Sequence, residues 1–240
     1  MNSININCDV GEGINNEELL MPHIQYCNIA CGGHIGDNST MEKVVVLAKK
    51  FNVKIGAHPS YPDKENFGRK SIQIDEESLI ESVRSQVESL IKIIANHGCL
   101  LYHIKPHGAL YNDISRDRGR ATIFLKAIED YKENIKLFVP FNSEIETLAI
   151  EKGFSILYEA FADRNYNTDL SLVSRNNSNA LLTKPAAVIK HTHEMVVTQK
   201  VTTISGEKVP IKADTYCVHS DTKNAEEIVK KLNQLSNKMS

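Results

Sequence analysis

Residues 54–70, KIGAHPSYPDKENFGRK, change character abruptly at His58. The residues before His58 suit a buried strand. Pro59 and Pro62 exclude a helix in the segment that follows, because proline lacks an amide hydrogen and restricts the residue before it. A strand therefore leads straight into a stiff loop that carries a histidine, a tyrosine and an aspartate. The same arrangement, a short apolar run that ends in polar residues, recurs along the chain and decides the predicted fold.

Seven runs of strand length alternate with amphipathic helical patterns. They are SININCD (3–9), YCNIACG (26–32), VKIGAHP (53–59), LLYHIKP (100–106), KLFVP (136–140), SILYEAF (155–161) and TYCVHSD (215–221). Strands that alternate with helices pair in parallel, so the pattern predicts an α/β protein whose sheet is flat or closed into a barrel. Residues 195–213 instead alternate with period two around Ser205-Gly206, which predicts a β-hairpin insertion. We interpret residues 1–240 as a single domain, because no repeat or low-complexity linker divides them.

Composition narrows the class of protein. Hydrophobic residues make up 41% and charged residues 24% of the chain, and the net charge is −2, which gives no electrostatic reason to expect nucleic acid or an acidic membrane as a partner. No apolar run approaches the roughly 18 residues that span a bilayer. The first residues also lack the basic start and apolar core of a secretory signal, so we expect a cytoplasmic protein. The five cysteines include no C-x-x-C pair, which argues against a disulfide framework.

Polar residues gather where the predicted strands end. Function in parallel α/β folds lies beyond the carboxyl ends of the strands, so side chains from different strands meet there. Glycines between these residues let the backbone approach a ligand closely. Repetition at five or six strand ends predicts the rim of one pocket, to which the following residues contribute: Asp9, Glu12, Asn28, His34, His58, Asp63, Lys105, His107, Glu159, Asp163, Arg164 and His219.

Six motifs in order carry a resemblance to a known family. NCDVGEG, NIACGGHIGD, IGAHPSYPD…FGR, KPHGALYN, EAFADRNY and CVHSDT together resemble the LamB/YcsF family, and the likeness runs from the first strand to the last. The resemblance implies a seven-stranded β/α barrel, related to the barrels of glycoside hydrolases and polysaccharide deacetylases. It also implies a part in the ATP-dependent opening of the 5-oxoproline (pyroglutamate) lactam to L-glutamate. In that role the chain would act with two partner subunits, B and C.

The sequence lacks a recognisable phosphate-binding loop for ATP. No G-x-x-x-x-G-K-[ST] occurs, and NFGRKS (66–71) lacks both the first glycine and the adjacent Gly-Lys pair. We therefore expect ATP to be bound with or by the partner subunits, while this chain handles the lactam or its activated form.

Opening a lactam predicts roles for the residues at the strand ends. Asp9, His58 and His107 are candidates for the general base that activates water. Lys105, or the glycine backbone at 11–13 or 32–33, can stabilise the oxyanion, although Lys105 can equally serve as a structural ion pair with Asp9 or Glu159. Arg69 and Arg164 suit a substrate carboxylate. The further substrate-binding candidates are Glu12, Asn28, His34, Asp63, Glu159 and Asp163.

The sequence does not decide whether the site uses a divalent metal ion or a covalent nucleophile. Related deacetylase barrels hold a metal ion with one aspartate and two histidines, for which Asp9, His34, His58 and His107 are candidates here. Cys31, close to His34, is a further candidate as a nucleophile. Two alternative functions follow. One is a metal-dependent amide or sugar deacetylase, and the other is a non-catalytic subunit that binds 5-oxoproline.

Overall fold

A computed structural model describes residues 4–239 and contains nine strands in that range. These are β1 Ile6–Val10, β2 Tyr26–Ala30, β3 Lys54–His58, β4 Leu101–Ile104, β5 Lys136–Pro140, β6 Ile156–Phe161, β7 Lys200–Thr202, β8 Lys208–Pro210 and β9 Thr215–Cys217. Seven of them pair in parallel and close into a barrel in the order β1-β2-β3-β4-β5-β6-β9. The predicted seven-stranded β/α barrel is confirmed, and each predicted run overlaps one barrel strand.

Helices surround the barrel and connect its strands. They are α1 Glu17–Leu20, α2 Asn38–Phe51, α3 Glu76–Asn96, α4 Gly108–Arg116, α5 Arg118–Ala127, α6 Glu144–Glu151, α7 Pro185–Thr198 and α8 Ala225–Met239. The longest, α3, begins where the Asp75 carboxylate accepts a hydrogen bond from the Ser78 amide. It buries one stripe of apolar residues from Leu79 to Ile94 against the barrel. Within residues 4–239 no helix has both the length and the apolar character needed to cross a membrane.

The hairpin is shorter than the sequence predicted. Strands β7 and β8 pair antiparallel, with Lys200 opposite Pro210. Residues 195–198, which were predicted to belong to the first strand, form the last turn of α7. The helix continues through them because Met195 and Val196 pack into the core, whereas their alternation with polar residues is also compatible with a strand. Gln199 then ends the helix in a left-handed conformation, with φ at 51°.

The barrel interior contains polar side chains that hydrogen-bond to one another, with only His103 Nδ1 of this group lacking a partner among the described residues. Asn28 on β2 donates hydrogen bonds of 2.8 Å to Asn7 Oδ1 and of 2.8 Å to Asp9 Oδ1. Asn7 donates in turn to the Thr215 hydroxyl on β9, at 3.0 Å. His103 Nε2 on β4 lies 2.6 Å from Asn28 Oδ1. Each buried donor in this chain of contacts therefore has an acceptor, as buried polar groups require.

Gly56 on β3 makes the space for the His103 ring. A Cβ at position 56 would collide with that imidazole, which also stacks on Phe138 with 4.1 Å between ring centroids. Burial lowers the pKa of His103 well below its ordinary value, so the ring is neutral. The glycine in IGAHP is thus required by packing inside the barrel, two residues before the strand reaches the site.

Candidate active site

A cavity of about 660 Å³ opens at the carboxyl ends of the barrel strands. It lies at the edge where parallel barrels place their functional residues. The predicted residues that line it are Asp9, Glu12, His58, Arg69, Lys105, His107 and Arg164. All four predicted catalytic residues are therefore brought together, from β1, β3 and the segment after β4.

His58 and His107 face each other at the floor of the cavity. The Nδ1 of His58 lies 2.7 Å from the backbone carbonyl of Lys105, and the Nε2 of His107 lies 3.0 Å from the carbonyl of Phe67. Since a carbonyl only accepts, each of these nitrogens carries hydrogen. The two remaining ring nitrogens, His58 Nε2 and His107 Nδ1, are 3.0 Å apart.

Two carboxylates complete this group of side chains. Asp9 Oδ1 lies 3.4 Å from His58 Nε2, and Glu12 Oε1 lies 3.3 Å from His107 Nδ1. Burial favours the neutral carboxyl of Asp9, but His58 and Lys105 outweigh burial and hold its pKa well below the ordinary value. Burial acts in the same direction on Glu12, where contacts with His107 and His34 outweigh it and also lower the pKa. Both side chains are therefore anionic at neutral pH. We call Asp9, Glu12, His58 and His107 the acceptor cluster.

Lys105 connects the acceptor cluster to the barrel interior. Its Nζ lies 2.8 Å from Asp9 Oδ1, 3.0 Å from Glu159 Oε1 and 3.1 Å from Cys217 Sγ. Burial alone would lower the pKa of Lys105, but the surrounding charges, chiefly Asp9, raise it well above the ordinary value. The predicted ion pairs with Asp9 and Glu159 are thus both present. Because Lys105 also lines the cavity, a role toward substrate remains compatible with them.

Other predicted substrate-binding residues do not line this cavity. Asn28 is inside the barrel, and His34 Nε2 bonds Glu12 Oε1 at 2.9 Å while its ring stacks on His107. Asp163 accepts from the backbone amide of His219 at 2.9 Å. Glu159 lies beneath Lys105 and lines a smaller neighbouring cavity of about 170 Å³. These side chains hold cavity-lining residues in place, so we revise their predicted role from substrate binding to positioning.

The loop after β3, which Pro59 and Pro62 stiffen, has one main role at the site. It positions His107. Asp63 Oδ1 accepts hydrogen bonds from the backbone and the side chain of Asn66, at 3.1 and 2.9 Å. These bonds close a tight turn in which Phe67 and Gly68 have φ angles of 54° and 61°. The turn presents the Phe67 carbonyl to His107. Asp63 was predicted to bind substrate, and in the structure it shapes this turn.

Tyr61 extends away from the cavity. Its hydroxyl donates a 2.8 Å hydrogen bond to Asp113 on α4, which ties the loop to that helix. Tyr61 therefore anchors the loop that follows His58 and does not line the cavity.

Arginines line the mouth of the cavity. Arg69 Nη2 and Arg175 Nη1 lie 2.8 and 3.4 Å from the same oxygen of Asp221, and Arg116 lines the wall. Arg164 is mostly buried, and its guanidinium donates to the Val173 carbonyl at 2.7 Å. More cations than anions face the opening, which favours an anionic ligand.

The sequence analysis did not predict Arg175 as a site residue, and it assigned no role to His219 or Cys217. Arg175 lies in a polar loop whose position is set only by tertiary contacts with Asp221. His219 lines the cavity, as its place at a strand end predicted, but it was given no role in binding or catalysis. Cys217 contacts Lys105 from β9, and its apolar sequence neighbours gave no sign of this.

Cys31 does not have the setting of a nucleophile. It is buried outside the main cavity, and burial raises the pKa of its thiol to about 12. The thiolate, which is the reactive form, is therefore disfavoured at neutral pH.

The acceptor cluster has the donor atoms of a metal site. Asp9, Glu12, His58 and His107 each bring one ligand atom, and these four atoms lie within 4.8 Å of one another. Two imidazoles with two carboxylates suit a divalent transition metal. The set differs from the predicted one by a single residue, because Glu12 takes the place of His34, whose Nε2 bonds Glu12 instead.

One protein family matches almost the whole of the chain. The LamB/YcsF family matches residues 4–240. The chain belongs to the LamB/YcsF family. Its six sequence motifs are the segments that build the cavity and its supports.

Individual LamB/YcsF relatives cover almost all of the chain. The A subunit of the 5-oxoprolinase of Limosilactobacillus fermentum is 38% identical over 239 residues, which cover 98% of this chain and 95% of that protein. The A subunit of the 5-oxoprolinase of Haemophilus influenzae is 36% identical over 232 residues, which cover 97% of this chain and 95% of that protein. The crystal structure of a lactam utilization protein from Thermus thermophilus superimposes with a TM-score of 0.90 at 30% identity, covering 99% of this chain and 97% of that one.

Proposed function

We propose that this chain is the lactam-opening subunit of an ATP-dependent 5-oxoprolinase, which converts 5-oxoproline to L-glutamate. One observation carries the proposal: the acceptor cluster, the Lys105 ammonium and the arginine-lined mouth face a single cavity. The names of the relatives supply the substrate, and they do not favour a metal-dependent deacetylase.

The cavity has a suitable group for each part of 5-oxoproline. The arginines at the mouth, Arg69, Arg164 and Arg175, would bind the carboxylate, since guanidinium groups match carboxylate geometry. The acceptor cluster would orient a water molecule and take up the proton that it loses on attacking the lactam carbonyl carbon. Lys105 is placed to stabilise the negative charge that develops on the carbonyl oxygen.

The reaction then ends with cleavage of the ring. The bond between the carbonyl carbon and nitrogen breaks, and the nitrogen accepts a proton to become the α-amino group of glutamate. A five-membered lactam is a stable amide, so the proposal assigns its activation by ATP to partner subunits B and C. The missing phosphate-binding loop in this chain is consistent with that division of labour.

Reconstitution tests the proposed function. The purified chain is mixed with subunits B and C from the same organism, 5-oxoproline and ATP, and glutamate is measured by chromatography. Parallel reactions omit this chain, ATP or the partners. We expect glutamate only in the complete mixture. Equal glutamate without this chain would contradict the proposal.

A further inference from the structure

The hydrogen positions on His58 and His107 leave two lone pairs facing each other. Each ring donates its far N–H to a backbone carbonyl, at Lys105 for His58 and at Phe67 for His107. His58 Nε2 and His107 Nδ1 are then both acceptors in the neutral rings, yet only 3.0 Å separates them.

The nearest carboxylate oxygens add to this excess of acceptors. Glu12 Oε1 lies 3.3 Å from His107 Nδ1 and 3.8 Å from His58 Nε2, and Asp9 Oδ1 lies 3.4 Å from His58 Nε2. Lys105 and His34 donate to the two carboxylates. Among residues 4–239, no donor from outside this group of four side chains forms a hydrogen bond with either inward-facing ring nitrogen. Four electron-rich atoms of these described residues therefore converge on one point, and the Lys105 ammonium contacts only one of the four, Asp9 Oδ1.

The spacing of these four atoms matches the edges of a metal coordination polyhedron. Ligand atoms held about 2.0–2.1 Å from a tetrahedral metal ion lie about 3.4 Å from one another. Four of the six separations between these atoms run from 3.0 to 3.8 Å, and all six are within 4.8 Å. We propose that Asp9, Glu12, His58 and His107 bind one divalent transition-metal ion, with zinc, cobalt, manganese and ferrous iron as the chemical class.

The outer contacts of the two histidines support the same inference. A metal-binding histidine usually donates its other ring hydrogen to a carbonyl or carboxylate, which fixes the ring and its tautomer. Both rings do so here, through the segment after β4 and through the turn after β3. Formal charges agree as well. Lys105 pairs with Asp9 and Glu159, and Glu12 lies beside the histidines, so three carboxylates share one ammonium and leave two negative charges for a divalent ion to balance.

A neighbouring group with possible ligands is less suitable. Asp9, Cys217 and His219 also bring ligand atoms within 4.8 Å of one another. Burial raises the pKa of the Cys217 thiol well above its ordinary value, however, and its sulfur contacts Lys105 Nζ at 3.1 Å. Metal ions bind the thiolate, so this group is disfavoured.

The position of the acceptor cluster suits a metal ion that activates water. Its four residues line the cavity floor, so one side of the ion would face the cavity and could hold a water molecule. A bound divalent ion lowers the pKa of such a water and makes it nucleophilic at neutral pH. Metal binding is measured without substrate, ATP or partner subunits, so it can fail while the proposed function stands, and the reverse also holds.

Cobalt absorption on the full chain tests the inference directly. The protein is purified without a histidine tag, dialysed against a chelator and titrated with Co²⁺, and visible absorption is recorded. Calorimetry with Zn²⁺ follows on the same sample. We expect one site per chain, visible absorption bands of cobalt in a four-coordinate site, or a five-coordinate site if water also binds, and displacement of Co²⁺ by Zn²⁺. Absence of stoichiometric binding for both ions in the folded wild-type chain overturns the proposal, whatever the variants do.

Variants identify the ligands. His58→Gln and Glu12→Gln should each weaken Zn²⁺ binding by about a hundredfold or more and change the cobalt spectrum. His97→Gln is the matched control, because His97 lies near the surface and pairs with Glu42. Circular dichroism confirms that each variant is folded. Unchanged Zn²⁺ binding by a folded His58→Gln/Glu12→Gln double variant would mean that the ion binds elsewhere, and the proposed ligands would be wrong.

Discussion

The barrel interior and the acceptor cluster are both buried and polar, but they differ in how their hydrogen bonds are completed. In the interior, Asn7, Asn28 and His103 pass hydrogen bonds from one to the next. In the acceptor cluster, His58 and His107 turn lone pairs toward each other and toward two carboxylates. Both regions contact Asp9 and Lys105. A closed network stabilises a fold, whereas an open one of this kind indicates where a ligand binds.

Lys105 contacts both regions, so we expect its substitution to have the largest effect on both stability and activity. Lys105→Met removes the ammonium that pairs with Asp9 and Glu159, and breaking a buried ion pair typically costs about 3–5 kcal/mol. We therefore expect the free energy of unfolding in urea to fall by about that amount, with loss of glutamate formation. Lys126→Met is the control: this lysine pairs with Glu76 near the surface, and the change should cost under about 1 kcal/mol. Equal effects of the two substitutions would contradict the assignment of Lys105.

The open region should affect activity more than stability. His107→Gln removes the ring nitrogen that faces the cavity, so the reconstituted reaction should slow by about a hundredfold or more. The free energy of unfolding should change by less than about 1.5 kcal/mol, because the residue already lies beside a cavity. Glutamate formation and urea unfolding are measured on the same preparation. Full activity of His107→Gln would contradict the catalytic role proposed for His107.

The closed region should show the opposite behaviour. Gly56→Ala places a methyl group against the His103 ring, and overpacking of this kind costs about 1–3 kcal/mol. Urea unfolding should report that loss, with kcat reduced much less than in His107→Gln. Gly119→Ala in the first turn of α5 is the control, since this position is exposed and a Cβ there meets only the Asp117 side chain, at 3.1 Å, so stability should change by less than about 1 kcal/mol. A Gly56→Ala protein as stable as wild type would mean that the interior is not tightly packed.

The arginines at the mouth should give the smallest effect. Arg175→Ala removes one guanidinium from a group of several, so KM for 5-oxoproline should rise about tenfold with kcat nearly unchanged, the pattern of lost ground-state binding. Steady-state kinetics on the reconstituted enzyme measures both parameters. Arg84→Ala, at a distant exposed arginine, controls for loss of charge. An unchanged KM would show that Arg175 does not contact substrate.

Short-range pattern was enough to predict seven parallel strands with helices between them, and the family resemblance, not the pattern, predicted that the sheet closes into a barrel. Each barrel strand is a brief apolar run, and the rule that function lies at carboxyl ends placed Asp9, His58, Lys105 and His107 at one cavity. The rule could not tell which side chains point inward. Asn28 lies only two residues before the end of β2, yet it belongs to the interior network.

Features that depend on tertiary contacts were not predictable. The Phe67 carbonyl became a partner of His107 through a left-handed turn that no motif indicates. Arg175 reaches the mouth only because Asp221 holds it there. Residues 195–198 were assigned to a strand because period-two alternation over a few residues is also compatible with the end of a helix.

A crystal structure of the chain with bound L-5-oxoproline tests the central claim, that this cavity binds the lactam. The account predicts the ligand in the 660 Å³ cavity, with its carboxylate among Arg69, Arg164 and Arg175 and its lactam carbonyl toward Lys105 and the acceptor cluster. A ligand seated instead in the smaller cavity beside Tyr166, or one whose carboxylate points at Asp9 and Glu12, would contradict it.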